Sequence, residues 1–251
     1  GEKYHWNKNN LQEEKMEVAL NKIRGIDKDY FLSKVAKAYM AIIGDGKSGI
    51  FNEDSLERPS NWKDKTRLKI DMGKFSVLLT NPPFGSKIPV RGEEKLKQFD
   101  LGHKWKKDKK NNEWEKVKLK DKEAPQILFI ERCLQLLKEG GRMAIVLPDG
   151  ILTNSSLQYV RDFLMEQAQI EAVVSLPQIA FSHFGAGVKS SLVFVRKKKK
   201  DEKLGNYPIF MAIAEHIGYD ATGRKDPIND LDKILVEYGK FENKPASYEG
   251  C

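Results

Sequence analysis

An α/β fold built on a mostly parallel sheet is what these 251 residues predict, and three observations carry that expectation. The apolar runs 75–80, 143–147 and 170–176 are continuous rather than alternating, the pattern of strands covered on both faces of a parallel sheet. Segments with apolar residues at helical spacing stand between them. One such helix runs through a Gly140-Gly141 turn directly into a strand ending in Leu147-Pro148, which is a parallel-sheet repeat.

In chain order, residues 1–10 are polar and aperiodic and predict a loop or frayed end. An imperfect amphipathic helix follows from Leu11, leading to a short strand 23–27 that ends on Asp27. A long helix is expected from 29 to about 43, stopped by Gly44-Asp45-Gly46, then a short strand at Ile50-Phe51 closing on Asp54-Ser55-Leu56. An acid at the carboxyl end of a strand, before a helix, is where doubly wound folds bind ribose hydroxyls, although a helix cap needs the same residue type. Capping or turn formation serves equally well for Asp54.

The run 75–80 reads as a fully buried strand, and it opens into Asn81-Pro82-Pro83-Phe84. Two successive prolines fix φ and push Asn81 out of the helical region, so the chain leaves the strand in a stiff, extended turn. Neither proline has an N–H, so the turn offers mainly carbonyl oxygens, flanked by an amide and an aromatic ring. That set suits an exocyclic amino group on a flat heteroaromatic ring.

Residues 86–123 break the pattern. They hold 13 Lys and Arg against 8 Asp and Glu, five of the chain's net +8, without apolar periodicity and with Phe99, His103, Trp105 and Trp114 interleaved. A basic insertion beside the turn is expected to rest as a solvated loop and to act as an arm for phosphates and bases. Beyond it the elements are a helix from Pro125, a strand 142–148, helical stretches at 149–152 and from Ser155, a strand 170–176, and a strand entered through a loop carrying Phe181, Phe184 and Val188-Lys189-Ser190-Ser191. One more strand is expected within 207–214, and a polar tail from about 216.

Two cysteines, Cys133 and Cys251, provide neither a disulfide framework nor a zinc site, and four scattered histidines add no metal spacing, so no metal is expected. No leader and no run approaching a membrane span is present, which predicts a soluble cytoplasmic protein without membrane contact.

The Asn-Pro-Pro-Phe step resembles the catalytic motif of the amino-methyltransferases, which methylate an exocyclic nitrogen of adenine or cytosine with S-adenosylmethionine. The Leu-Pro, aromatic, Gly-Val-Lys-Ser-Ser stretch, the segment 215–224 and Asn229-Asp230-Leu231 narrow the resemblance to the modification subunit of type I restriction-modification systems, over about residues 23–235. The resemblance implies a Rossmann-like S-adenosylmethionine-dependent methyltransferase fold and transfer of a methyl group to adenine N6. Asn81, Pro82, Pro83 and Phe84 are then catalytic, Asp27 and Asp54 bind the cofactor, and Phe181, with Phe184 as runner-up, stacks on the flipped base. Double-stranded DNA and separate specificity and restriction subunits are the implied partners. RNA or protein-glutamine amino-methyltransferases, which share the turn, and a non-catalytic DNA-binding or scaffolding subunit are the alternatives.

One departure from the family pattern stands out. No first strand and Gly-rich turn precede Ile23, so the sequence is expected to be a methyltransferase catalytic fragment, incomplete at its N-terminal side and inactive alone.

Overall fold

The computed structural model describes residues 8–42, 49–85, 88–108, 110, 112–185 and 187–243. They form two compact units divided after Asp71. The expected Gly44-Asp45-Gly46 stop lies outside the described residues, as does most of the expected frayed start; residues 8–10 are already helical.

The first unit contains helix α1 (Lys8–Asn21), strand β1 (Gly25–Asp27), helix α2 (Tyr30–Ile42), strand β2 (Ile50–Asn52) and a short helix α3 (Asp64–Arg67). Strands β1 and β2 pair in parallel, with Asp27 opposite Asn52. Helix α2 starts where the side chain of Asp29 accepts the N–H of Leu32 at 2.8 Å, so Asp29, not Asp27, caps it. Buried Trp62 holds the stretch after β2 by donating its indole N–H to the Asp54 carbonyl at 3.0 Å. The Glu53 carboxylate takes the Lys63 N–H and the Thr66 hydroxyl, at 3.0 and 2.9 Å, which fixes the same stretch to α3.

The second unit carries the main sheet. Its elements are β3 (Phe75–Thr80), β4 (Val90–Arg91), α4 (Glu93–Leu96), β5 (His103–Lys107), β6 (Trp114–Leu119), β7 (Lys122–Glu123), α5 (Pro125–Leu136), β8 (Leu137–Pro148), α6 (Asp149–Thr153), α7 (Gln158–Gln167), β9 (Ala168–Ser175), β10 (Ser190–Lys197), β11 (Phe210–Ile213), β12 (Ile217–Tyr219), β13 (Lys225–Asn229) and α8 (Asp230–Glu242). The five-stranded sheet has the order β11-β9-β10-β8-β3. Strands β3, β8, β9 and β11 run one way and β10 is reversed, antiparallel to both neighbours. The carboxyl ends of four strands therefore share one edge, where open α/β sheets place their ligands.

Alternation along β10 divides its side chains between two layers. Val193 and Val195 are buried in the core with Ile127, Leu128, Ile145 and Phe163, while Leu192 and Phe194 line an apolar groove of about 380 Å³ against Leu231, Ile234 and Tyr238 of α8. Gly140-Gly141 sits at an irregularity between β3 and β8. A Cβ on Gly141 would lie 2.9 Å from the Phe75 carbonyl oxygen, so a side chain there would prise the two strands apart.

Three expectations are corrected. Strand β3 is not fully buried: it pairs only with β8 among the described residues, and Val77 and Leu79 are 63% and 76% exposed. A continuous apolar run cannot distinguish a covered strand from one at an edge. The described residues of the insertion 86–123 form not a solvated loop but an ordered subdomain, built around Leu96, Phe99 and Leu101, each fully buried. The described part of the tail, residues 216–243, likewise folds into the β12–β13 hairpin and α8.

Candidate active site

The carboxyl end of β3 leads straight into Asn81-Pro82-Pro83-Phe84. Pro82 is buried and anchors the turn, Asn81 and Pro83 are exposed, and Phe84 is half-buried. Among the described residues the Asn81 side chain makes no hydrogen bond, so its amide oxygen is available to a ligand. All peptide bonds here are trans.

Across the same sheet edge, the loop that follows β9 brings Phe181 to Phe84. Their ring centroids are 6.0 Å apart, with the planes at 80°. The structure thus joins the two aromatic residues expected around a flipped base, but edge to face, so no parallel slot is open between them. The backbone of Phe184 lies in a short 3-10 turn, Ser182–Phe184; its side chain is outside the described part.

Lys189 fastens that loop to the sheet. Its ammonium donates to the Ser175 hydroxyl at 2.7 Å and to the Leu176 carbonyl at 3.1 Å, and it pairs with Asp149 at 3.5 Å. The Ser191 hydroxyl donates to the other oxygen of Asp149 at 2.8 Å, and the Asp149 N–H donates to the Lys189 carbonyl at 2.9 Å. The ends of β8 and β9 and the start of β10 are thereby tied beside the site. Sequence reasoning singled out Lys189-Ser190-Ser191 only as a likeness and missed this role, although a Lys at the entrance to a strand, with Ser two positions on, was the available signal.

The basic insertion packs beside the site through its aromatic residues. Trp105 stacks on Tyr159 with centroids 6.4 Å apart and meets Phe163 edge-on at 6.5 Å. The Trp114 indole donates to Asp162 at 2.6 Å. Both tryptophans expected to reach bases are committed to α7 and its approach. Buried Glu131 of α5 takes the N–H groups of Asp100 and Leu101 at 2.9 and 2.8 Å, one on each oxygen, and burial pushes its carboxyl above the ordinary value. The Arg132 guanidinium lies over Phe99 at 4.8 Å and donates to Gln98. What remains outside is charge: Lys104, Lys106 and Lys118 of the β5–β6 hairpin are exposed and make no ion pair among the described residues.

The two acids expected to bind a cofactor are in the first unit, at the carboxyl edge of its parallel pair. One oxygen of Asp27 accepts the Asp29 N–H at 2.7 Å. One oxygen of Asp54 accepts the Leu56 N–H at 3.0 Å, and the other pairs with Lys28 at 3.3 Å. Both carboxylates are held in turns at adjacent strand ends, an acceptor set that fits the hydroxyl and amino groups of a nucleoside. Among the described residues no group of three or more His, Cys, Asp or Glu side chains is placed to hold a metal ion, and no helix is long and apolar enough to cross a membrane.

The chain is 25% identical over 160 residues to the methylase subunit of the type I restriction enzyme EcoEI of Escherichia coli, covering 63% of this chain and 26% of that protein. It is 27% identical over 195 residues to the type I MpnII methylase subunit of Mycoplasma pneumoniae, covering 74% and 31%. The chain spans about a quarter to a third of the length of these relatives. Among solved structures, the methyltransferase subunit of a type I restriction-modification system from Streptococcus thermophilus superposes with a TM-score of 0.61 at 22% identity, over 88% of this chain and 42% of that one. A class I S-adenosylmethionine-dependent methyltransferase from Listeria monocytogenes gives 0.59 at 20%, over 86% and 54%. These likenesses show the Rossmann-like methyltransferase fold. The family model for N-6 DNA methylases matches residues 6–247, and the chain belongs to that family.

Proposed function

We propose that this chain is the catalytic portion of a type I modification subunit that methylates adenine N6 in double-stranded DNA, with S-adenosylmethionine as the donor. The observation that carries the reading is the meeting of the Asn81–Phe84 turn with Phe181 at the carboxyl edge of the sheet. A rigid pair of acceptors beside two aromatic rings is what a planar amino-substituted base requires.

S-adenosylmethionine, when bound, supplies an electrophilic methyl group; Asp27 and Asp54 would hold its ribose hydroxyls and adenine amino group. The residues of this chain act on the acceptor. Adenine N6 is a weak nucleophile because its lone pair is delocalised into the ring. The Asn81 amide oxygen and the Pro82 carbonyl accept its two hydrogens, draw the nitrogen toward tetrahedral geometry and stabilise the positive charge that develops on it. Held still by two prolines, they need no reorganisation at the moment of transfer. Phe84 stacks on the base, which must leave the duplex to arrive there, and Phe181 must swing from its edge contact to admit it. No side chain of the turn is a general base, so the surplus proton leaves to water.

The test is a labelled-methyl assay of the full-length protein, with its partner subunits, on DNA, RNA and protein. Incorporation at N6 of adenine in DNA is expected. Incorporation only into RNA or a glutamine amide would reassign the substrate, and none into any of the three would remove the enzymatic reading.

A further inference from the structure

The β12–β13 hairpin has no part in the chemistry above, yet it is built onto the loop that carries Phe181. On one side of Phe181 the Tyr219 hydroxyl donates to the Ala180 carbonyl at 3.0 Å. On the other, the His183 ring meets Tyr219 edge-on with centroids 5.1 Å apart, and Gly223 lies against it. Gly223 has φ +84°, and a Cβ there would stand 3.2 Å from the His183 ring, so both conformation and space require glycine at the tip.

The tip is rigid for a second reason. Asp220 takes the Thr222 N–H at 2.8 Å, the Thr222 hydroxyl at 2.7 Å and the Arg224 N–H at 3.0 Å, and these donors hold its carboxyl below the ordinary value. The Asp220 N–H in turn donates to the Arg224 carbonyl at 2.9 Å. The backbone of Arg224 is pinned at both ends while its guanidinium and the Lys225 ammonium are exposed, with no ion pair among the described residues. The hairpin's other acid, Asp226, accepts the Ile228 N–H at 2.9 Å and faces His216 at 3.9 Å. Within a hairpin of zero formal charge, the negative groups are thus spent on the fold and the positive ones are left outside.

We propose that Arg224 and Lys225 form a phosphate clamp at the rim of the base pocket, engaging the DNA backbone beside the extruded nucleotide. A base can leave the duplex, but its two flanking phosphates stay in the strand and must pass over the rim of whatever pocket receives it. A rigid cationic tip fixed to both sides of Phe181 neutralises them there and sets the depth at which the base sits. The clamp rests on the reading of the chain as a DNA-modifying enzyme.

The experiment measures duplex binding by the full-length protein across a salt series, for wild type, Arg224→Gln, Lys225→Gln, the double variant, Arg224→Lys, and Lys203→Gln, which removes a cation beyond the far end of β10. Each phosphate left without its cation is expected to lower the slope of log K against log salt by about 0.9, and the double variant by about 1.8, equally on specific and non-specific DNA. Arg224→Lys should keep the wild-type slope, and Lys203→Gln should not change it. A wild-type slope in the double variant, or the same reduction in Lys203→Gln, would overturn the clamp while wild-type methylation of DNA still upheld the parent reading. Failure of the wild-type protein to methylate DNA would instead sink the parent reading and the clamp with it.

Discussion

At the scale of single residues, Asn81 carries an exposed amide that makes no hydrogen bond among the described residues, while the two prolines after it lock the backbone. Its amide has no structural duty, so its loss should be felt by substrate alone. Asn81→Ala in the full-length protein is expected to lower turnover by at least about 10²-fold, the cost of removing one preorganised electrostatic partner, with cofactor affinity within about twofold of wild type by calorimetry. Near wild-type turnover would remove the residue from the mechanism. Phe181 carries a different expectation, because its ring now rests edge-on against Phe84. Phe181→Ala removes one stacking face, and stacking of a base on an aromatic ring is worth roughly 1–3 kcal/mol. Affinity for target DNA should fall about tenfold. The fluorescence rise of 2-aminopurine placed at the target position should shrink with it, and an undiminished rise would show that the base does not stack on Phe181.

At the scale of elements, the basic insertion shows how a charged sequence hides a folded one. Leu96, Phe99 and Leu101 are fully buried, but they are three residues among many charges and show no period that a strand or helix rule detects. What holds them is distant in sequence: Glu131, on α5, takes the two N–H groups of Asp100 and Leu101 with its two oxygens. Glu131→Gln keeps only one acceptor oxygen and turns an amide N–H₂ toward the second donor. A loss of about 1–3 kcal/mol, the cost of an unsatisfied buried donor, is expected from the urea midpoint; unchanged stability would mean the subdomain is held by its apolar core alone. The raised carboxyl of Glu131 adds a sign. A group whose folded value lies above the unfolded one favours the folded state most below the unfolded value. That contribution is lost as pH rises through the folded one, so the wild-type advantage over a neutral variant should narrow as pH rises above the ordinary carboxylate range.

The same elements divide what could be read from what could not. Strands β8, β9 and β10, helices α2 and α5 and the Asn-Pro-Pro-Phe turn were legible because each is a local pattern. The aromatic residues of the insertion were legible as residues but not as contacts: Trp105 and Trp114 pack on Tyr159 and Asp162, about fifty residues away, and no local rule pairs them. Helix α8 was missed despite Leu231, Ile234, Leu235 and Tyr238 at helical spacing, which line its groove on the sheet; neighbouring charges masked the stripe. With its tryptophans committed, the hairpin offers DNA its exposed lysines, Lys104, Lys106 and Lys118 among them. Replacing the three by Gln should flatten the salt dependence of binding by about 0.9 for each phosphate no longer neutralised without moving the thermal midpoint, and a slope equal to that of wild type would return the hairpin to a purely structural role.

At the scale of the whole molecule, the proposed reaction requires that one adenine be selected. Reading base edges in a major groove takes a folded element that enters it with several side chains positioned. Every described element after β10 is otherwise engaged: β11 extends the sheet, β12 and β13 brace the loop of Phe181, and α8 covers the sheet. On the reading proposed above, the cations of the insertion and of the hairpin tip meet phosphates, and such contacts position a protein on DNA without reading it. On the proposed reading, the described residues supply a turn for the chemistry and cations for the backbone but no element free to enter a groove; the relatives named above are methylase subunits. We propose that a separate specificity chain supplies the choice of site, and we predict that the full-length protein methylates a defined site only when assembled with it. Alone it should bind duplexes weakly, with specific and scrambled sequences competing equally and affinity falling steeply with salt. The check is sequencing of modified bases after incubation of plasmid DNA with the purified subunit and with the reconstituted complex. Methylation confined to one motif is expected only in the second reaction; the same motif appearing in the first would place recognition within the modification subunit itself.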